Sequence, residues 1–322
     1  MLAVVPVLLL LLAAFLTWFL ALIKVRPGSI WLIIAVMSTA AWGVLLLFGL
    51  RAPEPLMINE WLPGPHNFTS LIYSWTPQNW AIGFLVINLL TAVIFSEAKY
   101  LDSPDYIRKI SGSLYLGAFA LLAVMAGSPL SFVVAWSLID LIEFGVLSVL
   151  IGQERSLVSA ATSILFRGIG IFLLIFLTSV IPLDDFQTGS VVFTSSLWGV
   201  VIFLALFRMG VLPLFQPFQS SPAYQRGIVT ILRLVPIATT FAFIQYILAA
   251  GQPVRLGGVW FTVTTIAILW GAVSWFAAAN ELQGRSYFIF TLAGFGLAAL
   301  MTANPEALPG LAVVLISAGA GL

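Results

Sequence analysis

Uninterrupted apolar runs, most of them near 20 residues long, constrain this chain more than any other feature. Crossing a hydrocarbon core about 30 Å thick takes about 20 residues of α-helix. About eleven runs of roughly that kind can be placed, at 2–23, 29–50, 79–97, 110–127, 130–151, 159–181, 192–215, 227–250, 257–279, 286–303 and 307–321. They are continuous rather than alternating, so helices and not a β-barrel are the expected spanning elements. The fold class expected is an all-α polytopic membrane protein. Composition agrees, with 61% hydrophobic and 8% charged residues. So few polar groups could not cover a soluble globule. A cytosolic enzyme, a nucleic-acid binder and a disordered chain are excluded. The run from Met1 to Leu22 is too long for a signal-peptide core and lacks a basic leader and a cleavage site, so it is expected to be a retained span.

The net charge of +1 names no partner, and the chain has no cysteine. Disulfides, iron–sulfur clusters and thiolate metal sites are excluded within it. Its one histidine, His66, falls in a loop and is expected to face solvent. No nucleotide loop, Ser-His-Asp grouping or HExxH motif is present, so no cofactor and no metal are expected. With the N-terminus placed outside, the inner connections carry Lys24, Arg26, Lys99, Arg108, Lys109, Arg155, Arg226 and Arg285, against Arg51 and Arg255 outside. That bias is a strong positive-inside signal. The longest connection, 51–78, is an outer loop with Pro53, Pro55, Trp61, Pro63, Pro65 and Trp75. Stiff prolines and tryptophans at headgroup depth predict an interfacial cap; the alternative is an inert connector.

Five ionisable residues fall inside the runs: Asp140, Glu143, Arg167, Arg208 and Arg233. Each costs roughly 2.5–3.5 kcal/mol at a helix centre on the insertion scale, and such residues face the bundle interior and pair. Asp140 and Glu143, in WSLIDLIEF, share one helix face one turn apart. Two carboxylates so close cannot both ionise in a low dielectric without a nearby cation. They are read as a proton stop or as structural partners of Arg167 or Arg208. Arg208 precedes Gly210, Pro213 and Pro217 in LFRMGVLPLFQPF. Pro213 cannot continue a regular helix, and a break at membrane depth survives only in protein or beside a water-filled cavity. A buried charge before a break points to an ion path; a proline kink with a snorkelling Arg208 is the alternative. Arg233, three residues before Pro236, has the same form and the same alternative.

These segments, in this order, resemble the proton-conducting membrane transporter family, which holds the antiporter-like subunits of respiratory complex I, their hydrogenase counterparts and the Mrp sodium/proton antiporters. RMGVLPLF is similar to that family's broken seventh helix, where a lysine precedes Gly by two residues and Pro by five; here Arg208, Gly210 and Pro213 keep the spacing. LFRGIGIF resembles the sixth-helix segment, with Arg167 as its arginine. GIVTILRL resembles the eighth helix, with Arg233 near a His or Lys. NELQGRSYFIFTLAGFG resembles the polar loop and tenth helix, with Glu281 and Arg285 as the loop charges. The fifth-helix carboxylate usually follows a tryptophan directly; here Ser137 follows Trp136, and Asp140 or Glu143 serves instead. The family usually has about fourteen helices in two inverted repeats; this chain is expected to hold one repeat at 110–250 and an incomplete second at 257–322, within a single transmembrane domain.

The resemblance implies a proton- or cation-translocating subunit of a larger membrane complex, such as an NADH:quinone oxidoreductase-like translocase or an Mrp-like antiporter. Its ion path would run through Asp140, Glu143, Arg167, Arg208 and Arg233, in a bacterial plasma membrane or another energy-transducing membrane. The partners implied are lipid, other membrane subunits, and a soluble redox or zinc subunit. Two other implications stand beside it. One is a degenerate structural or docking subunit, because arginine, unlike lysine, effectively never releases its proton. The other is the membrane partner in an inorganic-carbon uptake complex.

Overall fold

The structure, a computed structural model, describes residues 2–58, 70–101, 106–150, 154–181, 191–211, 226–252, 258–279, 281–302 and 310. The described residues hold ten α-helices: α1 (Val5–Leu22), α2 (Pro27–Leu50), α3 (Pro77–Ser96), α4 (Tyr106–Val124), α5 (Pro129–Leu150), α6 (Glu154–Val180), α7 (Ser195–Arg208), α8 (Arg226–Ala250), α9 (Gly258–Phe276) and α10 (Glu281–Met301). Seven of them, α1 to α5, α8 and α9, are long and apolar enough to cross a membrane. The apolar stretches Ile164–Val180, Ser195–Arg208 and Tyr287–Met301 are shorter. The run expected at 307–321 lies outside the described residues except for Gly310, as do Trp61, Pro63, Pro65, His66, Pro213 and Pro217. An all-α polytopic membrane bundle results. Its outer surface leaves Phe172 74%, Val259 74% and Phe276 89% exposed, a surface suited to lipid rather than water.

The helices pack around α4, which touches α1, α3, α5 and α8. From α5 the chain continues sideways through α6 to α7, and α8 returns beside α3 and α4 while also touching α7 and α10. The pair α9 and α10 closes the far end. Three contacts fix which connections share a face. Tyr73 bridges to Ala126. At the other end of α3, Glu97 lies against Gly227 at the start of α8. Val191–Val192 pairs in parallel with Gly251–Gln252. Residues 73, 126, 191 and 251 therefore sit on one face, and 97 and 227 on the opposite one. This is the alternation that the distribution of basic residues requires.

The outer loop is more structured than a proline-stiffened cap. Strands β1 (Leu56–Ile58) and β2 (Leu71–Tyr73) form an antiparallel hairpin in which Met57 faces Ile72. Its second strand is clasped to the α4–α5 connection. The Ser74 N–H donates to Met125 O and the Gly127 N–H to Ile72 O, each at 2.7 Å. The Ser131 hydroxyl both receives from the Ile72 N–H and donates to Ile72 O. Trp75 is buried in protein rather than exposed, and its indole N–H donates to Ala3 O, next to the start of α1, at 2.9 Å. The helix that follows starts at Pro77, two residues earlier than the apolar run, because Thr76 and Asn79 form a reciprocal capping box with Pro77 in the first turn.

A second correction concerns α8, which runs through Pro236 without a break. The Thr239 and Thr240 hydroxyls both donate to Pro236 O. Both bonds go to the proline's own carbonyl and not to that of Leu232, the acceptor whose N–H partner the proline removes; a proline at membrane depth is tolerated where neighbouring helices and local adjustment absorb that loss. Arg233 therefore does not precede a helix break, unlike Arg208.

The first helix ends in a strained way. Lys24 has φ +58°, while its N–H donates to Ala21 O and that of Val25 to Leu20 O. This is a Schellman stop with lysine where glycine is preferred. A left-handed backbone costs a non-glycine residue about 1 kcal/mol. Lys24→Gly is expected to raise stability by about that amount, read as a higher melting temperature of the purified protein in one fixed detergent.

Candidate functional site

The site is built on three consecutive helices. Helix α5 carries Asp140 and Glu143 one turn apart, α6 carries Arg167, and Arg208 is the last residue of α7. All four side chains are buried, with Arg208 at 0% and Glu143 at 1% exposure. Arg167 forms a two-pronged pair with Glu143: its Nη2 donates to Oε1 at 2.7 Å and its Nη1 to Oε2. Arg208 Nη1 donates to Asp140 Oδ2 at 2.6 Å. Asp140 Oδ1 lies 3.9 Å from Arg167 Nη1. The four form one line, Arg208, Asp140, Arg167 and Glu143, with two charges of each sign. Neutrality is what lets four ionised groups share a low-dielectric interior.

Two further residues aim Arg208. Its guanidinium carbon lies 4.6 Å from the ring centroid of Trp136, one turn before Asp140. Trp136 is itself wedged against Phe132 and Phe243. On the other side the aliphatic arm of Arg208 runs over Gly170, where a Cβ would stand 2.8 Å from Cγ and 2.9 Å from Cδ. Gly170 thus gives the arm its passage, and a cation–π contact holds the head. Neither role was evident in the sequence, where Trp136 stood out only through its spacing to the carboxylates. The signal for Gly170 is its place three residues after Arg167, on the same helix face.

The stop after Arg208 is well defined. The Met209, Gly210 and Val211 N–H groups donate to Ala205 O, Phe207 O and Leu206 O respectively, and Gly210 has φ +71°. This is a Schellman stop with glycine in the left-handed position. With 14 residues, α7 is about 21 Å long at the helical rise, short of a bilayer core. The chain after Val211 lies outside the described residues.

The remaining sequence-named residues are placed elsewhere. Arg233 on α8 is half-buried. Glu281 and Arg285, expected in a polar loop, lie in the first turns of α10. Ser137, the residue after Trp136, is exposed. Among the described residues no group of three or more His, Asp or Glu side chains is arranged to hold a metal ion.

Fold and site together define a polytopic helical membrane protein with a buried, neutral charge line at the end of a short helix. No protein-family model and no curated protein matches the chain. Solved structures do share its fold. A chain of respiratory complex I from Thermus thermophilus matches 98% of this chain with 68% of its own length, at TM-score 0.69 and 16% identity. A chain of the membrane-bound sulfane sulfur reductase, an archaeal respiratory membrane complex, matches at TM-score 0.68 and 13% identity, with 56% of its length covered. A chain of the Mrp complex from Dietzia sp. DQ12-45-1b matches at TM-score 0.76 and 16% identity, and this chain spans 36% of it.

The pairing predicts an asymmetric response to substitution. Glu143→Gln alone leaves Arg167 without its carboxylate and should destabilise by about 3 kcal/mol. Replacing both partners, as Glu143→Leu with Arg167→Met, should recover stability to within about 1 kcal/mol of the parent. Thermal unfolding of the three proteins in the same detergent checks this.

Proposed function

We propose that this chain is an antiporter-like subunit of a larger energy-transducing membrane complex, in which the buried charge line is the centre of a proton- or cation-coupled path. One observation carries the proposal: Asp140 stands between two fixed cations, bonded to Arg208 and only 3.9 Å from Arg167. A carboxylate in that position can exchange one arginine for the other. In the low-dielectric interior each exchange moves charge with little screening. A proton or cation arriving at Asp140 would release Arg208, and loss of that charge would draw it back. The arginines hold charge in place and only the carboxylates change protonation, since arginine keeps its proton. The same fold in chains of respiratory complex I, the sulfane sulfur reductase and the Mrp complex supports membership in such an assembly. The remaining energy source would come from partner subunits.

A second reading is a structural subunit whose charges are locked as ion pairs. It is favoured by the two-pronged Arg167–Glu143 pair and by arginine at both cationic positions. The charge-neutralising pair Asp140→Asn with Arg208→Gln separates the two. Under the proposal, proton or sodium flux in vesicles carrying the native assembly falls at least tenfold while the subunit still co-purifies with its partners. Undiminished flux with intact assembly would favour the structural reading.

A further inference from the structure

At the end of the bundle where Glu97 meets Gly227, the first turns of α4 and the second half of α5 line a groove of about 200 Å³. We propose that this groove binds an anionic phospholipid, with the phosphate held by Arg108 and Lys109 and one acyl chain lying along Leu141 and Ile142. Arg108 is exposed and has no carboxylate partner among the described residues. Lys109 lines the groove while also facing Glu97 from a smaller cleft on its other side. Asp140 and Glu143, the acids on this part of α5, are occupied by Arg208 and Arg167. Arg108, the shared cation Lys109 and the N-terminal end of α4 therefore converge on the mouth, an arrangement that favours an anion.

The wall of the groove selects the rest of the molecule. Leu141 is 66% exposed and, with Ile142, forms an apolar strip leading away from the cations. Its depth comes from Gly145, where a Cβ would meet nothing within 4 Å. A free phosphate would use only the mouth. A phospholipid uses both mouth and strip, and this bundle end is the one that the basic residues assign to the inner leaflet.

The test uses the whole protein, purified and delipidated in mild detergent, with native mass spectrometry over a titration of phosphatidylglycerol or phosphatidylcholine. Phosphatidylglycerol should bind at least tenfold more tightly than phosphatidylcholine. Both Arg108→Gln with Lys109→Gln and, separately, Gly145→Leu should weaken it at least tenfold. Gly145→Leu fills the groove without meeting a packed neighbour, and Arg108→Gln alone, on an exposed side chain, should still weaken binding several-fold. Equal melting temperatures certify that the variants are folded. Equal binding of the two lipids, binding unchanged in either the charge or the groove variant, or displacement of phosphatidylglycerol by inorganic phosphate as readily as by lipid would each overturn the proposal.

Discussion

Charge neutrality inside an apolar bundle is the constraint on which the rest of this structure depends. Two arginines and two carboxylates sit where water is excluded, and any one of them left alone would be a severe burden. Their mutual satisfaction fixes the rotation of α5, α6 and α7 about their own axes. It sets the register between Arg167 and Glu143, and it brings the end of α7 against Asp140. Trp136 and Gly170 follow from the same demand, one giving the Arg208 head a π-face and the other giving its arm room. The line is an inner skeleton for this part of the bundle as well as its most polar feature.

Around it stands a frame closed at both ends. On one face the hairpin clasps the α4–α5 connection through Ser131 and the Gly127 N–H. On the other, the Glu97 carboxylate lies against the backbone at the start of α8. Helices α3, α4 and α8 are thereby held between two fixed ends, and Phe243 from α8 buttresses Trp136. The site is therefore supported by residues far from it in sequence, and the hydrogen-bonded ends transmit that support.

Much of this was legible in the sequence, because bilayer thickness and the cost of buried charge leave few choices. Apolar run length gave the helices, and the spacing of Asp140 and Glu143 put both on one face. What could not be read was which cation serves which anion, since pairing depends on helix rotation and not on spacing. The partner of Trp75 could not be read either, since an indole N–H is satisfied by any nearby carbonyl, here that of Ala3, distant in sequence. Pro236 misled because the outcome at a proline depends on helix neighbours, which local sequence describes poorly. Glu281 and Arg285 misled because polar residues can start a helix as readily as they can fill a loop.

The stop at Gly210 gives another meaning to a spacing in the chain. A Schellman stop places one cap residue between the last helical residue and the left-handed glycine. Arg208, Met209 and Gly210 fill those three places in order. The interval of two between a basic side chain and a glycine is thus the grammar of a helix that must deliver its final residue inward and then turn away. Among the described residues nothing crowds the Gly210 Cβ position, and its φ is positive, so what they demand there is handedness rather than smallness. Asparagine, which enters the left-handed region more readily than other side chains, would be the synonym nearest to hand, and a β-branched residue would be a misspelling.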